Sequence, residues 1–154
     1  MAFVLAMESA INRPAVAGLM TPTNSTWELT MIRSVLLVML GGAVGSAVRW
    51  LITHYFSTAS EHHGFPFGTL VVNVVGSMVV GYVLTWTSDH THDTWRLLAA
   101  TGFCGGFTTF STFGYETMAY WHSGKMALVA LNIGLNNTLA LLAVWFGIRL
   151  HGSR

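Results

Sequence analysis

The sequence has 154 residues, of which 53% are hydrophobic and only 8% are charged. Soluble globular domains carry roughly 25% charged residues, because their surfaces must be solvated by water. Together with a mean hydropathy of +0.56, this composition predicts an integral membrane protein with short loops. A net charge of +1 without a basic cluster argues against nucleic-acid binding. A single cysteine, Cys104, excludes a disulfide within the chain and a multi-cysteine metal site.

Residues 1–30 differ in composition from the rest of the chain. They include Glu8 and Arg13 within apolar stretches, two prolines and the polar sequence TPTNST. They lack the basic and long apolar regions of a secretory signal, so we expect no cleavage. An amphipathic surface segment is one interpretation. We favour a disordered extension. Such an extension would also be expected if Met31 were the natural first residue.

Uncharged apolar stretches divide the remaining residues, 31–154, into predicted membrane spans. A helix needs about 20 apolar residues to cross the hydrocarbon core. Four segments approach this length, namely residues 34–54, 68–87, 97–118 and 126–149. We therefore predict an all-α integral membrane domain of four transmembrane helices and no separate soluble domain.

Basic residues occur on both predicted faces of the membrane, with a small surplus on one of them. With alternating spans, the sides hold Arg33, Arg96, Arg149 and Arg154 against Lys125 and Arg49. The positive-inside rule then places both termini in the cytoplasm, but only by a small surplus. A chain with so weak a bias could insert in both orientations.

Arg49 is the only basic residue inside a predicted span. Trp50 and Tyr55 follow it and are typical of an interfacial aromatic belt, in which Arg49 would be an anchor. Alternatively, Arg49 is a fixed positive charge that draws anions into a vestibule. The residues themselves favour neither interpretation.

Asparagines occur in two predicted spans, where unpaired amides are costly. Asn73 lies four residues after Thr69 in the second span, and Asn132 and Asn136 have the same spacing in the fourth. Each pair therefore shares one helical face. One such residue would be explained by interhelical hydrogen bonding. Polar groups on three helices, the third span with its hydroxyls included, favour a polar pathway instead.

The third span has the most informative sequence, TGFCGGFTTFSTFGYE at residues 101–116. Gly105 and Gly106 followed by the β-branched pair Thr108 and Thr109 form a poor helix interior. A break at membrane depth is tolerated only where it is buried in protein or lines water. Its free carbonyls suit a hard cation such as sodium, while the N-terminus of the resuming helix suits an anion.

Aromatic and hydroxyl side chains are interleaved after this break. Phe107, Phe110 and Phe113 recur every three residues, and a parallel line of hydroxyls runs beside them through Ser111 and Thr112. A phenylalanine stripe by itself is typical of core packing. Hydroxyls next to a broken helix favour a pore.

These motifs resemble those of the Fluc-type (CrcB) fluoride channels. The resemblance covers about residues 32–150 and rests on Arg49-Trp50, on GTLVVNVVG at 68–76 and on GFCGGFTTFSTFGYE at 102–116. It implies an antiparallel, dual-topology homodimer with two fluoride pores and a central structural sodium ion. It also implies a multi-pass protein of the cell inner membrane that exports fluoride passively and is not an enzyme.

The resemblance also implies roles for individual residues. Gly105 and Thr108 would bind sodium through their backbone carbonyls, together with the same residues of a second copy. The residues implied to form the fluoride pathway are Asn73, Phe110, Phe113, Ser111, Thr112 and Arg49. The fourth span departs from the family pattern of a tyrosine and serines, because Asn132, Asn136 and Ala140 occupy the corresponding positions.

Two alternatives belong to other classes. A small proton-coupled multidrug exporter of four helices would need an acidic residue in its first span, and residues 34–54 contain none. An intramembrane enzyme could use the histidines near 62–63 or 90–92, but both pairs lie in short polar loops. Whether the partner is a second copy or a different, oppositely oriented subunit is left open.

Overall fold

The computed structural model describes residues 24–88 and 92–152, and every regular element within them is helical. The chain divides into two compact units, residues 1–33 and 34–154. In the first unit, the described residues 24–33 are helical. The predicted extension at residues 1–30 lies largely outside the described residues and stays a prediction. The features below belong to the second unit.

Eight helical elements follow one another in the described part of the chain. They are α1 (Asn24–Tyr55), α2 (Ser57–His63), α3 (Phe67–Trp86), α4 (Asp93–Trp95), a π-helical segment (Arg96–Cys104), α5 (Gly105–Phe107), α6 (Phe110–His122) and α7 (Met126–Gly152).

Three of these helices are long and apolar enough to cross a membrane, namely Trp27–Tyr55, Phe67–Trp86 and Met126–His151. They correspond to the predicted first, second and fourth spans. The prediction of an all-α membrane architecture is therefore confirmed. The first of these helices begins earlier than predicted, because the helix continues through the polar residues before residue 34.

The third predicted span is interrupted. Its π-helical segment ends at Cys104, α5 continues from there to Phe107, and α6 begins at Phe110. Between them, Thr108 (φ −80°, ψ 160°) and Thr109 (φ −148°, ψ 108°) are extended. The Thr109 hydroxyl accepts a hydrogen bond from the Thr112 N–H and thereby caps α6. The predicted break in this span is confirmed.

Close helix packing depends on glycine. A Cβ atom at Gly81 in α3 would lie 2.5 Å from the carbonyl oxygen of Val144 in α7. A Cβ at Gly147 would likewise meet the Met78 carbonyl. Since small residues allow two backbones to approach closely, these positions hold α3 against α7.

Polar side chains are buried and large apolar side chains are exposed, which is the reverse of a soluble protein. Leu40 (63%) and Leu141 (71%) are among the exposed apolar residues. Several polar residues are buried, including Thr69, Thr87, Thr109, Asn132 and Asn136. Such an outer surface suits lipid, in which apolar side chains need no cover.

Candidate functional site

The broken third span is attached to α3 by the side chain of Asn73. The Thr109 backbone N–H donates to Asn73 Oδ1 at 2.9 Å. In return, Asn73 Nδ2 donates to the Thr109 carbonyl oxygen at 3.3 Å. Both backbone groups of Thr109 are therefore satisfied by one carboxamide, although Thr109 belongs to no helix.

A chain of side-chain hydrogen bonds continues from Asn73 into α7. Asn73 Nδ2 also donates to Asn136 Oδ1 at 2.9 Å. Asn136 Nδ2 donates to Asn132 Oδ1 at 2.9 Å, and Asn132 Nδ2 donates to Thr117 Oγ1 at 2.9 Å. The predicted asparagines of two spans are thus joined in one network, and Thr117 is a member that the sequence reasoning missed.

Two backbone carbonyls lose their helical partners at the break. An unbroken α-helix would direct the N–H of Thr109 to the carbonyl of Gly105, and that of Thr112 to the carbonyl of Thr108. Instead, these two N–H groups donate to Asn73 Oδ1 and to the Thr109 hydroxyl oxygen. The carbonyls of Gly105 and Thr108 therefore do not receive these two helical hydrogen bonds.

A cavity of about 490 Å³, here called the break cavity, opens beside these groups. Phe110 is 82% exposed there, and its ring centroid lies 5.5 Å from that of Phe113. No charged side chain is found among the described residues that line this cavity. Its lining brings together six of the predicted site residues, namely Asn73, Gly105, Thr108, Phe110, Phe113 and Asn136.

Thr109 also lines a second cavity of about 470 Å³, here called the Arg49 cavity. Arg49 and Thr112 are among its lining residues. Trp50 also lines it and stacks on His54, with ring centroids 5.2 Å apart. The remaining predicted residues line neither cavity: Ser111 is exposed, and Asn132 is completely buried.

Glu116 is a second residue of the site that the sequence reasoning did not assign. It lines the Arg49 cavity, and its Oε1 atom accepts a 2.7 Å hydrogen bond from Thr69 Oγ1. Its Oε2 atom is buried and has no hydrogen-bond partner among the described residues. A carboxylate within an apolar span was the available signal, since such residues are costly in a membrane and usually functional.

Metal ligation at the break would depend on the backbone. Within residues 24–88 and 92–152, no group of three or more His, Cys, Asp or Glu side chains is placed to hold a metal ion. The Thr108 hydroxyl is already engaged, since it donates to the Cys104 carbonyl at 2.9 Å. The backbone carbonyls of Gly105 and Thr108 are therefore the groups at the break that could bind a hard cation.

Comparison with known proteins identifies the family of the chain. A family model described as CrcB-like protein, Camphor Resistance (CrcB), matches residues 36–148. The chain is 44% identical over 115 residues to the fluoride-specific ion channel FluC of Koribacter versatilis, covering 73% of this chain and 90% of that protein. It is 46% identical over 108 residues to fluoride-specific ion channel FluC 1 of Yersinia pestis, covering 69% and 84%.

A third relative, the fluoride-specific ion channel FluC of Elusimicrobium minutum, is 40% identical over 119 residues, which cover 77% of this chain and 94% of that protein. The family match contains the whole of Phe67–Trp86 and of the broken span, and it overlaps most of the other two long apolar helices. The chain is a multi-pass membrane protein, and it belongs to the CrcB-like protein family.

Proposed function

We propose that this protein is a fluoride-selective ion channel, through which fluoride leaves the cell passively. The observation that carries the proposal is the arrangement at Thr109, where two cavities adjoin beside a broken membrane helix. Relatives that share 40–46% of their residues with this chain are named fluoride-specific ion channels. A channel moves an ion without changing it chemically, so the protein is not an enzyme.

Selectivity follows from the chemistry of the lining. Fluoride is small and strongly hydrated, so a selective pathway must replace its water with fixed donors. Amide N–H and hydroxyl groups are such donors, and aromatic ring edges carry partial positive charge that can face an anion. We assign direct contact with the anion to the aromatic pair Phe110 and Phe113 and to the hydroxyls of Ser111 and Thr112, and we include Asn73, Asn132 and Asn136 as the amide network beside them.

Arg49 is proposed to attract anions into the pathway. Its side chain lines the Arg49 cavity, whereas no charged residue lines the break cavity among the residues that the structure describes. A positive charge outside the break cavity raises the local anion concentration. A full charge inside it would bind fluoride too strongly for release.

The active form is proposed to be an antiparallel, dual-topology homodimer in which each subunit contributes four membrane spans. The broken segment, completed by α6, would be the fourth span in addition to the three long helices. Phe110 is 82% exposed in one subunit, and Gly105 is also exposed, so both are accessible to a second copy. The small bias in basic residues supports insertion in both orientations.

A structural sodium ion would be held between the two copies by the carbonyls of Gly105 and Thr108. A two-fold axis brings the same residues of both subunits together, so the partner would supply an equal pair of ligands. Sodium would cross-link the two broken spans when bound. The network at Thr109 supports this site, because it diverts the two N–H groups that would bond to these carbonyls in a continuous helix.

In the inner membrane, such a channel would relieve fluoride toxicity. In an acidic medium, fluoride enters cells as neutral hydrogen fluoride, which dissociates at cytoplasmic pH. The trapped anion would then leave down its electrochemical gradient. A potential of 100 mV, negative inside, contributes about 2.3 kcal/mol per charge to this exit.

The proton-coupled exporter is the less favoured alternative. Residues 34–54 hold no acidic side chain that could exchange protons for a cationic drug. Glu116 is the acidic residue nearest to the break in the sequence, and one of its oxygens accepts a hydrogen bond from Thr69. The names of the relatives also describe ion channels.

The direct test is ion efflux from liposomes that contain the purified protein. Fluoride should leave rapidly after the potential is released by a potassium ionophore, while chloride should be retained. Protein-free liposomes provide the background rate. Equal efflux of both anions would reject fluoride selectivity, and efflux coupled to a proton gradient would favour the exporter.

A further inference from the structure

Asn73 pairs with Thr109 as a neighbouring β-strand would. The Thr109 dihedral angles, φ −148° and ψ 108°, are those of a strand residue. In a hydrogen-bonded pair of an antiparallel sheet, the N–H and the C=O of such a residue both form hydrogen bonds with the residue opposite. Here the same two bonds, at 2.9 Å and 3.3 Å, are made by the carboxamide of Asn73.

We propose that Asn73 is a positioning residue, whose carboxamide keeps the third span broken by acting as a one-residue strand partner for Thr109. This inference rests on the proposed function, since the groups held in place are the proposed pore and sodium ligands. A residue that leaves a helix at membrane depth exposes an N–H and a C=O, which need partners there. Asn73 provides both partners from another helix.

The competing conformation is a continuous third helix. In that state the Thr109 N–H would bond to the Gly105 carbonyl, and the Thr112 N–H would bond to the Thr108 carbonyl. Both carbonyls would then be lost as sodium ligands. The strand-like pairing by Asn73 therefore favours the state in which these carbonyls are free and α6 begins at Phe110.

The orientation of the Asn73 carboxamide is determined by a single backbone group. Because the Thr109 N–H can only donate, the atom facing it is Oδ1, and Nδ2 must face the Thr109 carbonyl and Asn136. The two hydrogens of Nδ2 therefore both have acceptors within the protein. A carboxamide that served only as a fluoride donor would keep at least one of them free.

Asn136 and Asn132 maintain that orientation from α7. Asn136 presents Oδ1 to Asn73 because its own Nδ2 is directed at two acceptors, the backbone carbonyl (3.1 Å) and Oδ1 (2.9 Å) of Asn132. Asn132 Nδ2 in turn donates to the Thr117 hydroxyl oxygen, and this hydroxyl donates to the Phe113 carbonyl at 2.7 Å. The fully buried Asn132 thus acts through Asn136 and not by direct contact with the ion.

The test is solid-state NMR on the full-length protein in lipid, because it reads the conformation of Thr109 independently of ion flux. In the wild type, the carbon chemical shifts of Thr109 should be strand-like, and its amide nitrogen should show a dipolar contact to the side-chain carbonyl carbon of Asn73. In Asn73→Ser, which keeps a hydroxyl donor but cannot bridge both groups, the strand-like shifts should disappear. Fluoride efflux should fall roughly tenfold or more, since a site must be held within about 0.5 Å.

Asn137→Ser is the matched control, because the hydrogen bond of this carboxamide among the described residues stays within its own helix, from Nδ2 to the Ile133 carbonyl at 2.7 Å. It should leave the Thr109 shifts unchanged. Unaltered strand-like shifts in folded Asn73→Ser would overturn the positioning role, even if flux fell. The lack of the Thr109–Asn73 contact in the wild type would overturn it without any variant. Normal Thr109 signals without fluoride efflux would instead reject the proposed channel function and keep the positioning role.

Discussion

Thr69 in α3 donates a 2.7 Å hydrogen bond to Glu116 in α6, and this is the single hydrogen bond received by the Glu116 carboxyl among the described residues. Thr69→Val keeps the side-chain shape and removes the donor. The protein should lose about 1–3 kcal/mol of stability, because a buried polar group is left unpaired. Unfolding of the purified protein by heat or denaturant measures this loss.

Thr85→Val is the control for this change. Thr85 lies on the same helix, and its hydroxyl donates to the carbonyl of Gly81 at 2.8 Å. Its removal should have a smaller effect, since a helical carbonyl already has a backbone partner. Equal destabilisation by the two variants would contradict a special role for the contact between Thr69 and Glu116.

Exchanging Phe110 or Phe113 for isoleucine should abolish most fluoride flux. The change removes the positive ring edge that is proposed to face the anion. If the rings only filled space, a swap that keeps volume would cost less than about 1.5 kcal/mol and leave flux intact. Fluoride efflux from liposomes is the measurement, with size exclusion to confirm that the dimer persists.

Phe103 serves as the packing control for these variants. It stacks on the buried Phe107, with ring centroids 5.3 Å apart, and lies before the break. Phe103→Ile should therefore affect stability more than flux. Normal efflux from well-folded Phe110→Ile and Phe113→Ile would refute the aromatic pathway and leave selectivity to the amides and hydroxyls.

Thr108→Ser should retain sodium binding. The proposed ligand is the backbone carbonyl, which the substitution keeps, and serine can also preserve the hydrogen bond to the Cys104 carbonyl. A sodium titration monitored by thermal stability provides the measurement. Thr108→Val, which removes the hydroxyl, is the matched variant. A large loss of sodium binding in Thr108→Val but not in Thr108→Ser would point to coordination by the side-chain hydroxyl.

Gly81→Ala should destabilise the subunit. The added Cβ atom would lie 2.5 Å from the Val144 carbonyl oxygen, which is backbone and can move away only if α3 and α7 separate. Overpacking of this kind typically costs about 1–3 kcal/mol. Gly134→Ala on α7 is the control, since a Cβ there meets nothing within 4 Å. Thermal unfolding of both variants should separate them clearly.

A reporter tag at the C-terminus should be detected on both sides of the membrane. This follows from the weak asymmetry of basic residues along the chain. Adding two lysines to one loop should shift the population to a single orientation and reduce activity. A C-terminus found only in the cytoplasm would contradict the dual-topology homodimer.

The membrane class, the approximate spans and the break are determined by the sequence itself. Hydropathy is a local property, so the second and fourth spans could be predicted to within about two residues. The break could be predicted because Gly105, Gly106 and the threonines after them disfavour a helix wherever they stand. The motif at residues 102–116 was sufficient to indicate the family.

Only the tertiary structure decided which polar groups meet. Asn73 reaches Thr109 across 36 residues and Asn136 across 63, while Thr69 reaches Glu116 across 47. Such contacts depend on how closely and in which register α3, α6 and α7 pack, and glycine contacts between the backbones of α3 and α7 set part of that packing. The spacing of Asn132 and Asn136 predicted a shared face, but not that Asn132 is buried behind Asn136. A residue's partner in a membrane interior is chosen by the nearest unsatisfied group in space, which is a property of the fold and not of the local sequence.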